Sequence, residues 1–164
     1  LTRLKGHHTF ISMIRQLADA GDPVHGLIVG GEDPRRPAYA HELYDKAQGA
    51  PISFLGHRDD LRDIMSSSDA VVSVSTKPES FGRTVLEALA LGTPVVGYAH
   101  GGVGEILDTI YPQGMVCPGD KTGLNERLCE ALNTAPKIVT DHPFILAKMQ
   151  SKTLALYHAL AAKN

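Results

Sequence analysis

The sequence predicts an α/β fold: a parallel sheet, doubly wound, with helices covering both faces. Two observations predict it. Short runs rich in β-branched residues, bounded by Gly, Pro or Asp, alternate with helical stretches along nearly the whole chain. Those runs are apolar throughout instead of at every second residue, as strands buried on both faces must be.

Taken in order, residues 8–20 form the first helix, with Phe10, Ile14 and Leu17 on one face, and residues 24–30 (VHGLIVG) the first strand. A more polar helix over 36–48 leads to a strand over 52–56 (ISFLG). A short helix over 60–67, with Leu61, Ile64 and Met65 at i, i+3 and i+4, leads to a strand over 70–75 (AVVSVS). The helix over 82–91 stops at Gly92, with Pro94 just beyond, and a strand over 94–98 (PVVGY) follows. A helix over 104–110, a strand over 114–117 (GMVC) and a helix over 122–133 complete the domain. Residues 135–143 read as a connector to a last helix over 144–162, whose Leu154, Tyr157 and Leu160 suit packing on this domain or on another copy. The expected division is a ligand-binding domain over 1–140 and a connector with helix over 141–164.

The chain has 164 residues, 43% hydrophobic and 21% charged, enough to bury a core without disulfides or metals. Its net charge of −2 offers no general attraction for nucleic acid or anionic lipid. No apolar run approaches the roughly 20 residues that span a bilayer, and no signal peptide is visible. Cys117 and Cys129 read as reduced thiols of a cytoplasmic protein. The histidines, among them His7, His8, His41, His57, His100 and His142, lack metal-ligand spacing, so no metal is expected.

Doubly wound sheets bind ligands beyond the carboxyl ends of their strands. The loops of interest are therefore 30–36, 56–59, 75–81 and 98–104. Two nucleotide signatures fail. Residues 114–122 (GMVCPGDKT) imitate a phosphate-binding loop, but Asp120 separates Gly119 from Lys121. Gly102-Val103-Gly104 has Leu107 where a third glycine would stand.

The informative stretch is 75–96 (STKPESFGRTVLEALALGTPVV). A strand ends, a loop carries Lys77, Pro78 and Glu79, and Phe81-Gly82 opens a helix whose free N–H groups and positive end suit an anion. Gly82 admits a ligand close to the backbone. Thr84 and Glu87 lie at i, i+3 on one face, and a carboxylate such as Glu87 suits a ribose diol, each charge-assisted bond contributing about 1.5–3 kcal/mol. The bland alternative pairs Glu87 with Arg83 across a solvated turn and leaves Glu79 to complement the helix dipole.

Glu79-Ser80-Phe81-Gly82 through Glu87, then Ala88, Gly92, Thr93, Pro94, Val95 and Val96, resembles the E-x7-E signature of the group 1 (family 4) glycosyltransferases of GT-B fold. Lys5-Gly6, Phe54-Leu55-Gly56-His57, Ser68-Asp69-Ala70 and Gly101-Gly102 with Glu105 resemble further segments of that family, in its order. The resemblance implies the C-terminal, Rossmann-like half of such an enzyme, binding a nucleoside diphosphate sugar. In that pattern Lys5 contacts the diphosphate and Glu79 the transferred sugar, with the backbone of Phe81 and Gly82. Thr84 sits at the phosphates and Glu87 holds the ribose hydroxyls. Gly56, His57 and Arg58, with Leu61 behind them, lie against the base.

Lys5 and Glu79 are then the residues expected to serve catalysis, in a hexosyltransferase that retains anomeric configuration and needs no cofactor. The expected acceptor is a glycan or lipid-linked glycan, as in polysaccharide assembly, with peripheral membrane association through a full-length protein. The chain departs from the pattern in lacking a Gly-Arg upstream of Leu1, the strand before it and the N-terminal acceptor domain; Arg3 is a poor substitute for that arginine. The domain alone is expected to be inactive. The competing expectations are a non-catalytic nucleotide-sugar-binding module and half of a nucleotide-sugar epimerase of the same architecture.

Overall fold

A computed structural model describes residues 1–139 and 141–162. The boundary expected after residue 140, and the last two residues of the expected 141–164 segment, lie outside the described residues.

A single 3₁₀ turn, Arg3–Lys5, leads into α1 (His7–Asp19). There follow β1 (Gly26–Val29), α2 (Pro37–Ala47), β2 (Ile52–Gly56), α3 (Leu61–Ser66), β3 (Val71–Ser73), α4 (Arg83–Ala90) and β4 (Val95–Tyr98). The chain continues through α5 (Gly101–Ile110), a 3₁₀ turn at Pro112–Gly114, β5 (Met115–Val116), α6 (Lys121–Thr134) and α7 (Leu146–Ala161). All five expected strands and all seven expected helices are present, and every strand pairing is parallel.

Among the described residues the parallel strands hydrogen-bond in two groups: β1 with β2, and β3, β4 and β5 in that order. Helix α1 joins the two by packing rather than hydrogen bonding. Its Ile11 enters a core with Ile28 of β1 and with Tyr39, Leu43 and Ala47 of α2. Its Met13, Ile14 and Leu17 pack with Val74, Val96, Tyr98 and Val116, and with Leu124 and Leu128 of α6. On the opposite face of β4, Val95 meets Val85 and Leu89 of α4 and Val103, Ile106 and Leu107 of α5.

Strand β4 is thus buried on both sides, as its unbroken apolar run requires. Each such side chain contributes about 1.5–3 kcal/mol by leaving water.

Two element boundaries differ from expectation for local reasons. β3 stops at Ser73 because the chain then turns towards the 3₁₀ turn, where the Thr76 N–H donates to the Leu4 carbonyl at 2.8 Å. α5 begins at Gly101 rather than residue 104, since Gly101 and Gly102 lie flat against the loop before α4. Asp120, the residue that spoils the phosphate-loop spacing, is the N-cap of α6 and accepts from the Gly123 N–H at 2.9 Å.

The last helix does not pack as expected on this domain: α7 contains no buried residue, and Leu154, Tyr157 and Leu160 are all exposed. Phe144, ahead of α7, does pack against the α4–α5 core.

His7, at the start of α1, places Nδ1 3.1 Å from the Tyr39 hydroxyl. Burial pushes its pKa from 6.5 down to about 4. The folded protein therefore resists protonating a group that the unfolded chain protonates readily. Stability from this source is complete above about pH 6.5 and is lost as pH falls towards 4. Because the site is partly open, the effect is on the order of 1 kcal/mol. Urea melts at pH 7 and 4.5 should show His7→Gln losing less stability than the native chain; equal losses would refute the assignment.

Candidate functional site

The site assembles where the end of β3, the start of α4 and the start of α5 meet the turn carrying Lys5. Beyond β3 the loop runs through Ser75, Thr76, Lys77, Pro78 and Glu79 to Phe81, and α4 opens after Gly82, which adopts φ +87°. In that first turn the N–H groups of Arg83 and Thr84 have no earlier helical carbonyl to bond and point outwards from the positive helix end. Thr84 is exposed beside them, and Phe81 is 46% exposed at the lip.

Two glycine-dependent approaches hold this loop in place. The Gly102 N–H donates to the Glu79 carbonyl at 2.8 Å, and Glu79 forms a parallel bridge with Gly101. A Cβ at Gly102 would stand 2.3 Å from the Phe81 carbonyl oxygen, so only glycine permits this contact. The Phe144 ring lies edge-on to Phe81, with centroids 6.3 Å apart, and backs the loop from the connector side.

Lys5 reaches this loop from 74 residues away in sequence. Gly6 presses so closely on β3's continuation that a Cβ there would overlap the Val74 carbonyl, at 2.0 Å. With the Thr76–Leu4 bond, that contact sets the Lys5 side chain over the loop, and its Nζ donates to Glu79 Oε1 at 2.8 Å. Glu79 is 26% exposed, against 54% for Lys5.

Burial alone pushes the Glu79 carboxyl up. Hydrogen bonds from Lys5 and from the Ser75 hydroxyl, with the Lys5 and His100 charges, outweigh burial and hold it below the usual carboxylate range. Ser75 and His100 were not anticipated as site residues. Ser75, 5% exposed, donates its hydroxyl to Glu79 Oε1 at 2.5 Å, and His100 Nε2 lies 3.0 Å from the Ser75 carbonyl. A serine four residues before the glutamate was the only local signal.

The remaining candidates are less concentrated. Glu87 lies on α4, half exposed, with Oε1 3.3 Å from Arg83 Nε. An exposed pair of this kind contributes about 0–1 kcal/mol, so a ligand displaces it at little cost. Gly56, at φ +66°, ends β2 and begins an exposed turn. In that turn His57 Nε2 lies 3.4 Å from Asp59, and Arg58 donates to both oxygens of Asp60, at 2.8 and 2.5 Å. The Arg58 hydrogen bonds hold Asp60 below its ordinary range. Leu61 is exposed at the start of α3. Arg3 faces α2, where it pairs with Glu42 at 2.6 Å and lies 4.7 Å over the Tyr39 ring. Its guanidinium is therefore engaged away from Lys5 and Glu79.

Among the described residues no group of three or more His, Cys, Asp or Glu side chains could hold a metal ion, and no helix is long and apolar enough to cross a membrane.

This arrangement brings a cation, a carboxylate and a helix start close together, suited to a ligand that is anionic at one point and hydroxylated beside it. Comparison with known proteins points the same way. Residues 1–134 match the model of the family described as glycosyl transferases group 1. A 2-deoxystreptamine N-acetyl-D-glucosaminyltransferase of Streptomyces fradiae is 29% identical over 137 residues, covering 81% of this chain and 32% of that protein. An N-acetyl-alpha-D-glucosaminyl L-malate synthase of Bacillus anthracis is 36% identical over 85 residues, 49% of this chain and 21% of that one. Anabaena HepE in complex with UDP-glucose superposes with a TM-score of 0.72 at 28% identity, over 82% of this chain and 37% of that one. The chain thus spans about a third of the length of these first two relatives or less.

Proposed function

The chain belongs to the group 1 glycosyl transferases, and we propose that it is the donor-binding half of a retaining enzyme that takes a sugar from a nucleoside diphosphate sugar. The observation that carries this reading is the meeting of Lys5 and Glu79 at 2.8 Å beside the open start of α4. A cation and free N–H groups suit a diphosphate, and a carboxylate next to them suits the hydroxyls of the attached sugar. The likeness to a protein solved with UDP-glucose supports a donor of that class.

In the proposed chemistry the bond between the sugar carbon and the diphosphate oxygen breaks. Negative charge grows on the leaving diphosphate, where Lys5, the Arg83 and Thr84 N–H groups and the Thr84 hydroxyl stabilise it. Glu79 orients the sugar with the backbone of Phe81 and Gly82, and Glu87 exchanges Arg83 for the ribose diol. The turn from Gly56 to Arg58, with Leu61, covers the base. Because Arg58 is held by Asp60, backbone groups of that turn make the base contact. The acceptor hydroxyl bonds to the sugar carbon on the face the diphosphate leaves and passes its proton to the departing phosphate oxygen, so configuration is retained. The acceptor, a glycan or lipid-linked glycan in this proposal, is held by the family's other domain.

Calorimetric titration of UDP, GDP and ADP into the chain tests the site. One nucleotide is expected to bind best, and Glu87→Ala to weaken it about tenfold, as loss of one hydrogen bond to a charged group does. Equal affinities for the native chain and the variant would remove Glu87 from the ribose.

A further inference from the structure

We infer that Ser75 is a positioning residue for the donor sugar, acting by holding one oxygen of Glu79 so that the other faces the ligand. The inference rests on the reading of Glu79 as the sugar-binding carboxylate.

Both donors that reach Glu79 converge on a single atom. Lys5 Nζ and the Ser75 hydroxyl each bond Oε1, at 2.8 and 2.5 Å, and no described residue donates to Oε2. A carboxylate on a flexible side chain ordinarily rotates about its last torsion, exchanging the two oxygens. Here the exchange costs two hydrogen bonds to a charged group.

Lys5 cannot maintain that order alone, because its side chain is more exposed than Glu79 and the proposed diphosphate draws it away when the donor binds. Ser75 can. It is buried and follows the core residue Val74, and both sides of its peptide unit are held. The His100 ring N–H donates to its carbonyl at 3.0 Å, and the next residue, Thr76, bonds through its N–H to Leu4. The hydroxyl is therefore a fixed donor on a fixed backbone, and it remains on Oε1 after Lys5 has turned to the phosphates. Oε2 is left as an oriented acceptor for sugar hydroxyls. Its orientation is set before the ligand arrives, so its immobilisation is not charged against binding.

The test separates sugar from nucleotide by measuring UDP and UDP-glucose affinity side by side for the native chain, Ser75→Ala, Ser75→Cys and Ser75→Thr. Ser75→Cys keeps the site filled with a weak donor and guards against a cavity defect in Ser75→Ala, while Ser75→Thr restores a hydroxyl. The expected result is that Ser75→Ala and Ser75→Cys leave UDP affinity unchanged and reduce the preference for UDP-glucose over UDP about tenfold, the worth of one hydrogen bond to a charged group. Ser75→Thr should recover most of that preference. In the ligand-free protein, carbon-13 NMR should show the Glu79 carboxyl titrating at higher pH in Ser75→Ala and Ser75→Cys than in the native chain.

A native preference for UDP-glucose that survives intact in Ser75→Ala and Ser75→Cys overturns the role of Ser75 and leaves the donor site standing. An unshifted Glu79 titration overturns it equally. A native chain that binds UDP but shows no preference for UDP-glucose removes Glu79 from the sugar, and the positioning role with it. A native chain that binds neither leaves the Glu79 titration to decide whether Ser75 holds the carboxylate.

Discussion

Replacing Glu79 with alanine is expected to erase the extra affinity that a nucleoside diphosphate sugar has over the bare nucleoside diphosphate. The carboxylate meets the proposed sugar through hydrogen bonds worth about 1.5–3 kcal/mol each, so UDP-glucose affinity should fall about 10- to 150-fold. UDP affinity should hold or rise slightly, because the variant frees Lys5 from its 2.8 Å partner. The fold should tolerate the change: a half-exposed ion pair contributes little, and the loop keeps its backbone bond from Gly102 to the Glu79 carbonyl. Paired titrations with a thermal melt as control decide the matter. An equal loss of UDP and UDP-glucose affinity would mean that Glu79 acts on the nucleotide, or on the loop as a whole.

The second large effect is structural and reaches the same site from behind. Gly102→Ala would place a methyl group 2.3–2.5 Å from the oxygen, carbonyl carbon and Cα of Phe81. These are backbone atoms, so no rotamer change relieves the overlap, and either the loop before α4 or the first turn of α5 must move. Overpacking of this kind costs about 1–3 kcal/mol. The urea midpoint should therefore drop, and donor affinity should drop with it because the displaced loop carries Glu79, Phe81 and Gly82. An unchanged midpoint with unchanged affinity would show that the loop yields freely and that the interlock has no role. Read with the Glu79 variant, this substitution separates loss of a ligand group from loss of the scaffold that presents it.

Much of the fold was legible because it depends on near neighbours in the chain. The five apolar runs became five parallel strands, and the helix periodicity placed Ile14 and Leu17 on the buried face of α1. Boundaries were less legible where a distant segment intervened. β3 is short because Leu4 takes the Thr76 N–H, and α5 is long because Gly101 and Gly102 have the loop before α4 to pack on. Asp120 was legible as an intruder in a phosphate loop but not as the cap that it is.

The site divides in the same way. The order of Lys5-Gly6, Glu79, Phe81-Gly82, Glu87 and Gly101-Gly102 is a pattern along the chain, and the resemblance to a family rests on that order. Ser75 and His100 carried no such pattern. They meet because β3 and β4 are neighbours in the sheet, so the residues beyond their carboxyl ends come together although 25 positions separate them.

By itself, then, the sequence determined the alternation of strands and helices, the helix start after Gly82 and the presence of two carboxylates eight residues apart. Those features follow from local periodicity, backbone stereochemistry and spacing, which a linear chain displays in full. Only the tertiary structure decided that the strands form two ladders bridged by α1, that α7 lies unburied, and that Lys5 and Ser75 share one oxygen of Glu79. Those outcomes turn on which distant segments pack together, and the energy of such contacts belongs to pairs of residues that no local pattern relates.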